Sequence, residues 1–211
     1  MIVIQTLGVS IAPLLTTLGG GGLAVALALQ DTLSNLFSGI HIIASKQINT
    51  GDYIKLDTGE EGYVVDISWR NMSIRELSNN IIIVPNGKVA KTILRNYDLP
   101  KQELSLLIPI GVSYSSDLEH VEKITIEVAT DVLKTVKGGV PDFEPFIRYH
   151  TFGESSIIFN VFLRAKEFSD HFLVKHEFII KLHKRYKEEN IEIPFPIRSI
   201  YMKEHNSSAK S

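Results

Sequence analysis

The sequence predicts a membrane-spanning α-helix, then a small all-β barrel of the Sm/SH3-like type, then an α+β domain with ferredoxin-like element order. Three observations predict this architecture. Residues 7–29 carry no charge, short strand patterns fill 51–97, and a β-α-β-β-α-β pattern fills 102–201. We therefore place the three parts at 1–44, 45–100 and 101–202, and expect a disordered polar tail over 203–211.

The uncharged segment is long enough to cross a bilayer. Its 23 residues, as a helix rising about 1.5 Å per residue, span a hydrocarbon core of roughly 30 Å. Glycines occupy positions 19–22, and each glycine inside a helix costs about 1 kcal/mol relative to alanine. In lipid, small residues let helix backbones approach closely, which offsets that cost. The segment therefore predicts a helix that packs tightly against other helices.

The charges of the chain are unevenly placed. Among 22 basic and 24 acidic side chains, only Asp31 precedes residue 45. Because basic residues follow the segment from Lys46 on and none precedes it, the body is expected in the cytoplasm and the helix in the cell (inner) membrane. The segment lacks the positive start and the shortness of a secretory signal peptide. Since the chain starts within apolar residues, we expect it to be truncated and to lack earlier membrane helices.

A separate amphipathic helix is predicted after the uncharged segment. Asp31 is the expected N-cap of this helix, and Gly39 is an expected bend within it. The helix would lie at the membrane surface or on the soluble body. Its apolar residues recur at helical spacing: Leu33, Leu36, Phe37, Ile40 and Ile43.

Short strands are predicted in the second part of the chain. They lie at 53–56, 63–67, 72–77 and 81–84, and the last one is followed by a turn signal at 85–87. Several short strands with frequent turns favour a small barrel.

The third part alternates strands and helices. A helix opened by a capping box of Ser116 and Glu119 follows the first strand, and another helix begins near Asp170. Asn190 is expected to end that second helix in a left-handed conformation. The closing sequence IPFPIRSIY predicts a last strand that completes the ferredoxin-like order. The other strands are expected at 104–112, 146–152 and 157–165.

Several motifs of the chain resemble a known family. The run LGGGGLAVALALQDTLSNLFSGI, followed by GDYI, GYVVDISWRNMSIREL and IIIVPNGKV, resembles the mechanosensitive channels of small conductance (MscS-like). The resemblance extends to IPFPIRSI and covers about residues 10–200. It implies a homoheptamer in which the last membrane helix lines the pore and the β and α/β parts enclose a cytoplasmic vestibule. The implied partners are membrane lipid, further copies of the chain and permeant inorganic ions.

The resemblance also implies roles for residues of the predicted helix. Leu23 and Leu27 match two leucine rings that close the pore. An apolar constriction excludes ions when it empties of water, and tension favours the wider state. The implied function is a tension-gated ion channel that opens on osmotic downshock. The small residues on which neighbouring helices slide are matched by five positions: Gly19, Gly20, Gly22, Ala24 and Ala26.

The sequence departs from the family pattern near the hinge. Asp31 stands where the family often has the glycine of a kink, and Ala26 stands where glycine is also frequent. Gly39 matches a second bend position, so the hinge or kink is expected at Asp31 or Gly39. Asp31 also follows Leu27 by four residues, so a ring of these carboxylates at the pore mouth would favour cations. The N-cap interpretation of Asp31 competes with that hypothesis.

Other functions fit only parts of the sequence. Gly19, Gly21 and Ala24 fit a relaxed dinucleotide-binding fingerprint, but no acidic residue lies between Asp31 and Asp52. The seven histidines lack a metal-binding or catalytic spacing, so we expect no metal, cofactor, catalytic residue or enzyme activity. A net charge of −2 predicts no nucleic acid partner. The main alternative is a membrane-anchored β-barrel and ferredoxin-like interaction module without a pore, which leaves the glycine run unexplained.

Overall fold

The chain divides into two compact units. A computed structural model describes residues 12–196 and 198, with side chains from residue 16 onward. Unit 1 is Met1–Leu99 and unit 2 is Pro100–Ser211. The predicted tail at 203–211 and the start of the predicted membrane segment, at 7–11, lie outside the described residues.

The described part of unit 1 begins with one uninterrupted helix, α1 (Ala12–Ser45), of 34 residues. The sequence predicts two helices with Asp31 as the N-cap of the second, and that prediction is wrong. Asp31 lies inside α1, and its backbone carbonyl accepts a hydrogen bond from the Asn35 side chain at 2.8 Å. No proline or glycine between residues 23 and 38 interrupts the backbone hydrogen bonds. Asp31 therefore has no free helix-terminal N–H groups to cap.

Five antiparallel strands form the sheet of unit 1, in the order β4-β3-β2-β1-β5. The first four strands, β1 to β4, lie where the sequence predicts strands, so those predictions are confirmed. The sequence does not predict β5, because three residues are too few to show alternation. The predicted turn at 85–87 continues as a short helix, α2 (Asn86–Val89). The strand bounds are β1 Tyr53–Leu56, β2 Glu61–Ile67, β3 Asn71–Arg75, β4 Ile81–Pro85 and β5 Leu94–Asn96.

The core of unit 1 joins the sheet to the C-terminal part of α1. Buried apolar side chains of β1 to β4 pack with Ile42 of α1, with Ile48 after it and with Val89 of α2. Burial of these side chains stabilises the contact between helix and sheet. The C-terminal part of α1 therefore belongs to the folded body.

Unit 2 has two layers. Its antiparallel sheet has the order β6-β8-β7, from Leu104–Val112 (β6), Phe146–Phe152 (β7) and Ile157–Ala165 (β8). Side chains alternate between buried and half-buried along β8, and the buried ones pack with helices α3 (Leu118–Thr135) and α4 (Asp170–Glu188). The predicted fold class is confirmed, because one apolar helix is followed by a β-sheet unit and an α+β unit.

The helix ends of unit 2 agree with the prediction in one case and differ in another. The N-cap of α3 is Asp117 rather than the predicted Ser116. The Asp117 carboxylate accepts hydrogen bonds from the backbone N–H groups of Glu119 and His120, at 3.0 and 3.3 Å. A carboxylate at this position also interacts favourably with the helix dipole, which a serine hydroxyl cannot do as well. Asn190 has a φ of 56°, so the predicted left-handed end of α4 is confirmed.

The predicted last strand does not form over residues 193–196. One hydrogen bond beside the end of β6 joins the backbone N–H of Ser113 to the carbonyl of Glu192, at 3.1 Å. Pro194 and Pro196 have no N–H to donate, so strand pairing does not continue there. Residues 197 and 199–201 of the predicted strand lie outside the described residues.

Candidate functional site

The N-terminal part of α1 is an exposed apolar surface. Every residue from 16 to 33 is exposed in the single chain, and the predicted gate residues Leu23 and Leu27 are each 62% exposed. By length and composition, Thr16–Ser45 is the one helix in the described part of the chain that could cross a membrane. Exposed apolar surface of this extent is unfavourable in water. It therefore requires lipid or other helices as cover.

Leu23 and Leu27 form a stripe along this part of α1. An α-helix has about 3.6 residues per turn, so the two side chains lie one turn apart and about 40° apart around the helix axis. Val25 lies on roughly the opposite side of the helix. The continuous helix thus brings the two predicted gate residues together on one side.

Small residues flank the leucine stripe on both sides. By the same geometry, Gly22 and Ala26 lie on one flank, with Gly19 beside them, and Gly20 and Ala24 lie on the other. A Cβ atom added at any glycine from 19 to 22 would meet nothing within 4 Å. Contacts within the folded chain therefore do not require these glycines. A second helix packed on each flank would require them, because small residues let two backbones approach.

Asp31 connects the leucine stripe to the part of α1 that contacts the sheet. The side chain is exposed, and its spacing puts it in line with Leu27 toward the N-terminus and with Asn35 and Ile42 toward the C-terminus. By the same geometry the Asp31 carboxylate lies about 40° from Leu27 and about 80° from Leu23 around the helix axis, which puts it on the flank of Gly20 and Ala24.

Asn35 holds α1 to the start of α2. Its Oδ1 accepts a hydrogen bond from the backbone N–H of Gly87 at 2.8 Å, and its Nδ2 donates to the carbonyl of Asp31 at 2.8 Å. Asn86 is fully buried, and its Nδ2 donates to the carbonyl of Ser68 at 2.9 Å. The Ser-Asn pair after the uncharged segment thus meets the Pro-Asn-Gly turn after β4.

Gly39 lies at a very close approach between α1 and the sheet. A Cβ atom at this position would lie 2.5 Å from Asn86 Nδ2 and 2.9 Å from the carbonyl oxygen of Trp69. No larger residue fits without movement of the backbone. We call Asn35, Gly39, Asn86 and Gly87 the helix clamp. Close packing accounts for the glycine at position 39, and its role as a hinge stays a prediction.

An ion pair fixes α2, which carries two residues of the helix clamp. Lys88 Nζ donates to the Glu60 carboxylate at 2.7 Å, and the Thr58 hydroxyl donates to the same carboxylate. These hydrogen bonds lower the pKa of Glu60 to about 2. The carboxylate is therefore ionised at neutral pH, and it links α2 to the turn between β1 and β2.

Sequence reasoning alone does not identify the helix clamp as a contact site. Asn86 follows four apolar residues and a proline, and a buried asparagine is costly unless it is hydrogen-bonded. An asparagine directly after an apolar strand is therefore the only sequence signal that Asn86 makes a buried contact. The next residue, Gly87, donates to Asn35, which lies 52 residues earlier in the chain, too far for a local pattern to relate the two.

The histidines that the structure describes form no metal site. Within the described ranges, no group of three or more His, Cys, Asp or Glu side chains could hold a metal ion. The ring of His171 lies 3.8 Å from the ring of Phe172, whereas His176 and His183 are exposed on α4. These histidines therefore pack on neighbours or lie at the surface.

Two family models match the chain. The model described as "Mechanosensitive ion channel, beta-domain" matches residues 31–99. The model described as "Mechanosensitive ion channel MscS, C-terminal" matches residues 106–193. The first match begins at Asp31 and includes the helix clamp.

The chain is also similar to individual channel proteins. It is 34% identical over 209 residues to a small-conductance mechanosensitive channel of Helicobacter pylori, and the match covers 99% of this chain and 74% of that protein. It is 28% identical over 205 residues to the small-conductance mechanosensitive channel MscMJ of Methanocaldococcus jannaschii, with 96% and 57% covered. The chain therefore spans little more than half the length of MscMJ.

Solved structures have the same fold. The crystal structure of Helicobacter pylori MscS in the closed state matches with a TM-score of 0.78 at 33% identity, over 97% of this chain and 78% of that chain. The structure of MSL1 from Arabidopsis thaliana matches with a TM-score of 0.67 at 21% identity, over 89% and 68%. At the lower identity the likeness concerns the fold alone.

Gly39→Ala is expected to loosen the helix clamp, because the added methyl group would overlap Asn86 Nδ2 and the Trp69 carbonyl. Overpacking of this kind typically costs about 1–3 kcal/mol. Hydrogen–deuterium exchange of the backbone amides at 35–42 and 86–89 should then be roughly tenfold faster or more.

Gly21→Ala is the matched control for this substitution. It makes the same change in the same helix, but its Cβ would meet nothing within 4 Å. Exchange at the clamp should stay at the wild-type rate. Equal exchange in wild type and Gly39→Ala would show that close packing at Gly39 does not hold the helix.

Proposed function

Because the chain belongs to the MscS family of mechanosensitive ion channels, we propose that it is the pore-lining and cytoplasmic part of a tension-gated channel of small conductance. The observation that carries this proposal is the exposed stripe of Leu23 and Leu27 with small residues on both flanks. A ring of such helices buries both flanks and points the leucines at a common axis. The chain then acts as a channel rather than as an enzyme.

A ring is favoured because the two flanks of α1 differ. The flank with Gly22 and Ala26 of one helix packs on the flank with Gly20 and Ala24 of the next. A head-to-tail contact of this kind repeats around an axis until the ring closes. Seven copies is the number that the family resemblance implies, and lipid covers the side of α1 that faces away from the axis.

Two stacked leucine rings close the pore without a plug. A narrow apolar constriction empties of water, and an ion cannot cross it without losing its hydration. Membrane tension favours the state with the larger in-plane area. The helices then slide along their small-residue flanks, and the constriction widens and fills with water. Inorganic ions and small solutes leave the cell through this pore on osmotic downshock.

The helix clamp couples the pore helix to the cytoplasmic body. The clamp includes the hydrogen bond between Asn35 and Gly87, which is 2.8 Å long, and Asn35 lies one helical turn after Asp31. When the part of α1 that carries the leucines moves, the helix must therefore rotate about these contacts or break them. Asp31 and Gly39 are the proposed hinge positions, because they bracket Asn35. The body is proposed to lie in the cytoplasm and α1 in the inner membrane, since Lys46 follows the helix.

Native mass spectrometry of the detergent-solubilised protein tests the assembly. A sevenfold species is expected if α1 lines a pore. A purely monomeric species, with or without an N-terminal extension of the chain, would favour a membrane-anchored interaction module instead. The count also decides whether electrical recordings report on a single kind of assembly.

Leu23→Ser and Leu27→Ser are expected to lower the tension at which the channel opens. Each substitution removes roughly 1.5–3 kcal/mol of apolar preference per chain, so the closed constriction holds water more readily. Patch-clamp recording under stepped suction measures the threshold. Val25→Ser is the control, because Val25 is 58% exposed and lies on the opposite side of α1. Unchanged thresholds in both leucine variants would place the gate elsewhere.

Asp31→Asn is expected to reduce cation preference, because it removes a ring of carboxylates one turn after the Leu27 ring. The reversal potential in a salt gradient should move toward zero. Asp57→Asn, a change at an exposed loop position outside α1, should leave the reversal potential as in wild type. A reversal potential that is the same in all three proteins would rule out the carboxylate ring.

A further inference from the structure

The chain leaves α1 through a turn whose backbone conformation needs support. Helix α1 ends at Ser45, and Lys46 follows it with a φ of 54°. This left-handed conformation is unfavourable for a residue with a side chain, and helices that end in this way usually have glycine there. Two residues later, Ile48 is buried in the core of unit 1. Contacts with the surrounding structure must therefore hold the turn in place.

One asparagine of β5 supplies such contacts. Asn96 Nδ2 donates to the carbonyl oxygen of Gln47 at 2.9 Å and to Asp52 Oδ2 at 2.7 Å. Asp52 Oδ2 also accepts a hydrogen bond from the backbone N–H of Asn49 at 2.8 Å. Asn96 and Asp52 are both half-buried, and hydrogen bonds that are partly shielded from water are stronger than those at the surface. The Asn96 amide group therefore holds the segment between α1 and β1 at both of its ends.

The same side chain also binds the segment by which the chain leaves unit 1. Asn96 Oδ1 accepts a hydrogen bond from the backbone N–H of Asp98 at 2.9 Å. The Asp98 carboxylate accepts a hydrogen bond from the backbone N–H of Tyr53, at the start of β1. Unit 1 ends at Leu99, and unit 2 begins at Pro100. The segment after α1, the start of β1 and the exit from unit 1 therefore meet at Asn96.

We propose that Asn96 is a positioning residue for gating, which couples the end of α1 to the segment that leads into unit 2. We call Asn96, Asp52 and Asp98 the exit network. The inference rests on the proposed function, in which α1 changes its orientation when the channel opens. A displacement of the end of α1 is then transmitted to Asp98 through Asn96, unless the hydrogen bonds between them break. Membrane tension must therefore move α1 together with this segment, rather than α1 alone.

Asn96→Asp tests this coupling, because it keeps the size of the side chain and removes both N–H donors. A carboxylate oxygen would then face the Asp52 carboxylate and the Gln47 carbonyl oxygen, and like charges at this distance repel each other. Hydrogen–deuterium exchange of the backbone amides at 46–53 and 96–98 should become roughly tenfold faster. Patch-clamp recording under stepped suction should show opening at a lower tension than in wild type, because α1 is released from the exit segment.

Exchanging the two side chains supplies the rescue. In Asn96→Asp combined with Asp52→Asn, the amide at position 52 can donate to the carboxylate at position 96 and still accept from the Asn49 N–H. The net charge equals that of wild type. Amide exchange and opening tension should return most of the way to their wild-type values, because a double-mutant cycle isolates the interaction of the pair. Asn79→Asp is the matched control, since Asn79 is exposed in the turn between β3 and β4, and it should change neither measurement.

The two measurements separate the coupling from a purely structural role. Faster exchange in Asn96→Asp with an opening tension equal to or above that of wild type would overturn the coupling and leave the channel proposal intact. Unchanged exchange would show that the exit network does not hold the turn. Asn96→Ser removes the same donors without adding a charge and should shift both measurements in the same direction, so the test does not depend on the folding of one variant. A wild-type protein without tension-gated currents would overturn the proposed function itself.

Discussion

Unit 1 depends on how closely α1 approaches the sheet at Gly39. Backbone carbonyls of Ser68 and Trp69 face this glycine, so any side chain there would push the helix outward. The same approach buries Asn86, whose Oδ1 has no hydrogen-bond partner in the described part of the molecule. An unsatisfied buried acceptor costs roughly 1–3 kcal/mol. The bond from Asn86 Nδ2 to Ser68 and the apolar packing of Ile42 must offset that cost. Polar contacts and close packing therefore hold α1 against the sheet.

Glycine occurs in α1 for two different physical reasons. Gly39 has a reason inside the folded chain, since neighbouring atoms leave no room for a side chain. The glycines at 19–22 have none there, because the space around each is open. Both kinds have the same sequence signal, a glycine in a helical pattern. Only the surroundings distinguish a residue that fits its own body from residues that fit another helix.

Much of the fold is predictable from local pattern, and the helix clamp is not. Hydrophobic periodicity locates the apolar helix, most strands and both long helices of unit 2, because each pattern spans a whole element. Periodicity misses β5, which is too short. The N-cap preference of Asp31 splits α1, because capping preference is local whereas helix continuity depends on both flanking segments. The capping-box pattern also selects Ser116 over the adjacent Asp117 as N-cap. The meeting of Asn35 with Gly87 depends on the three-dimensional course of the chain between them.

The continuity of α1 through Asp31 makes the helix a lever. From Gly39 to Thr16 the helix extends about 35 Å, at about 1.5 Å per residue, whereas Asn35 lies only about 6 Å from Gly39. A rotation of about 10° about Gly39 would move the far end by roughly 6 Å and Asn35 by about 1 Å. A displacement of that size at Asn35 is enough to break a hydrogen bond. Small changes at the buried end are therefore amplified at the exposed end, and a force on the long arm is multiplied at the short one.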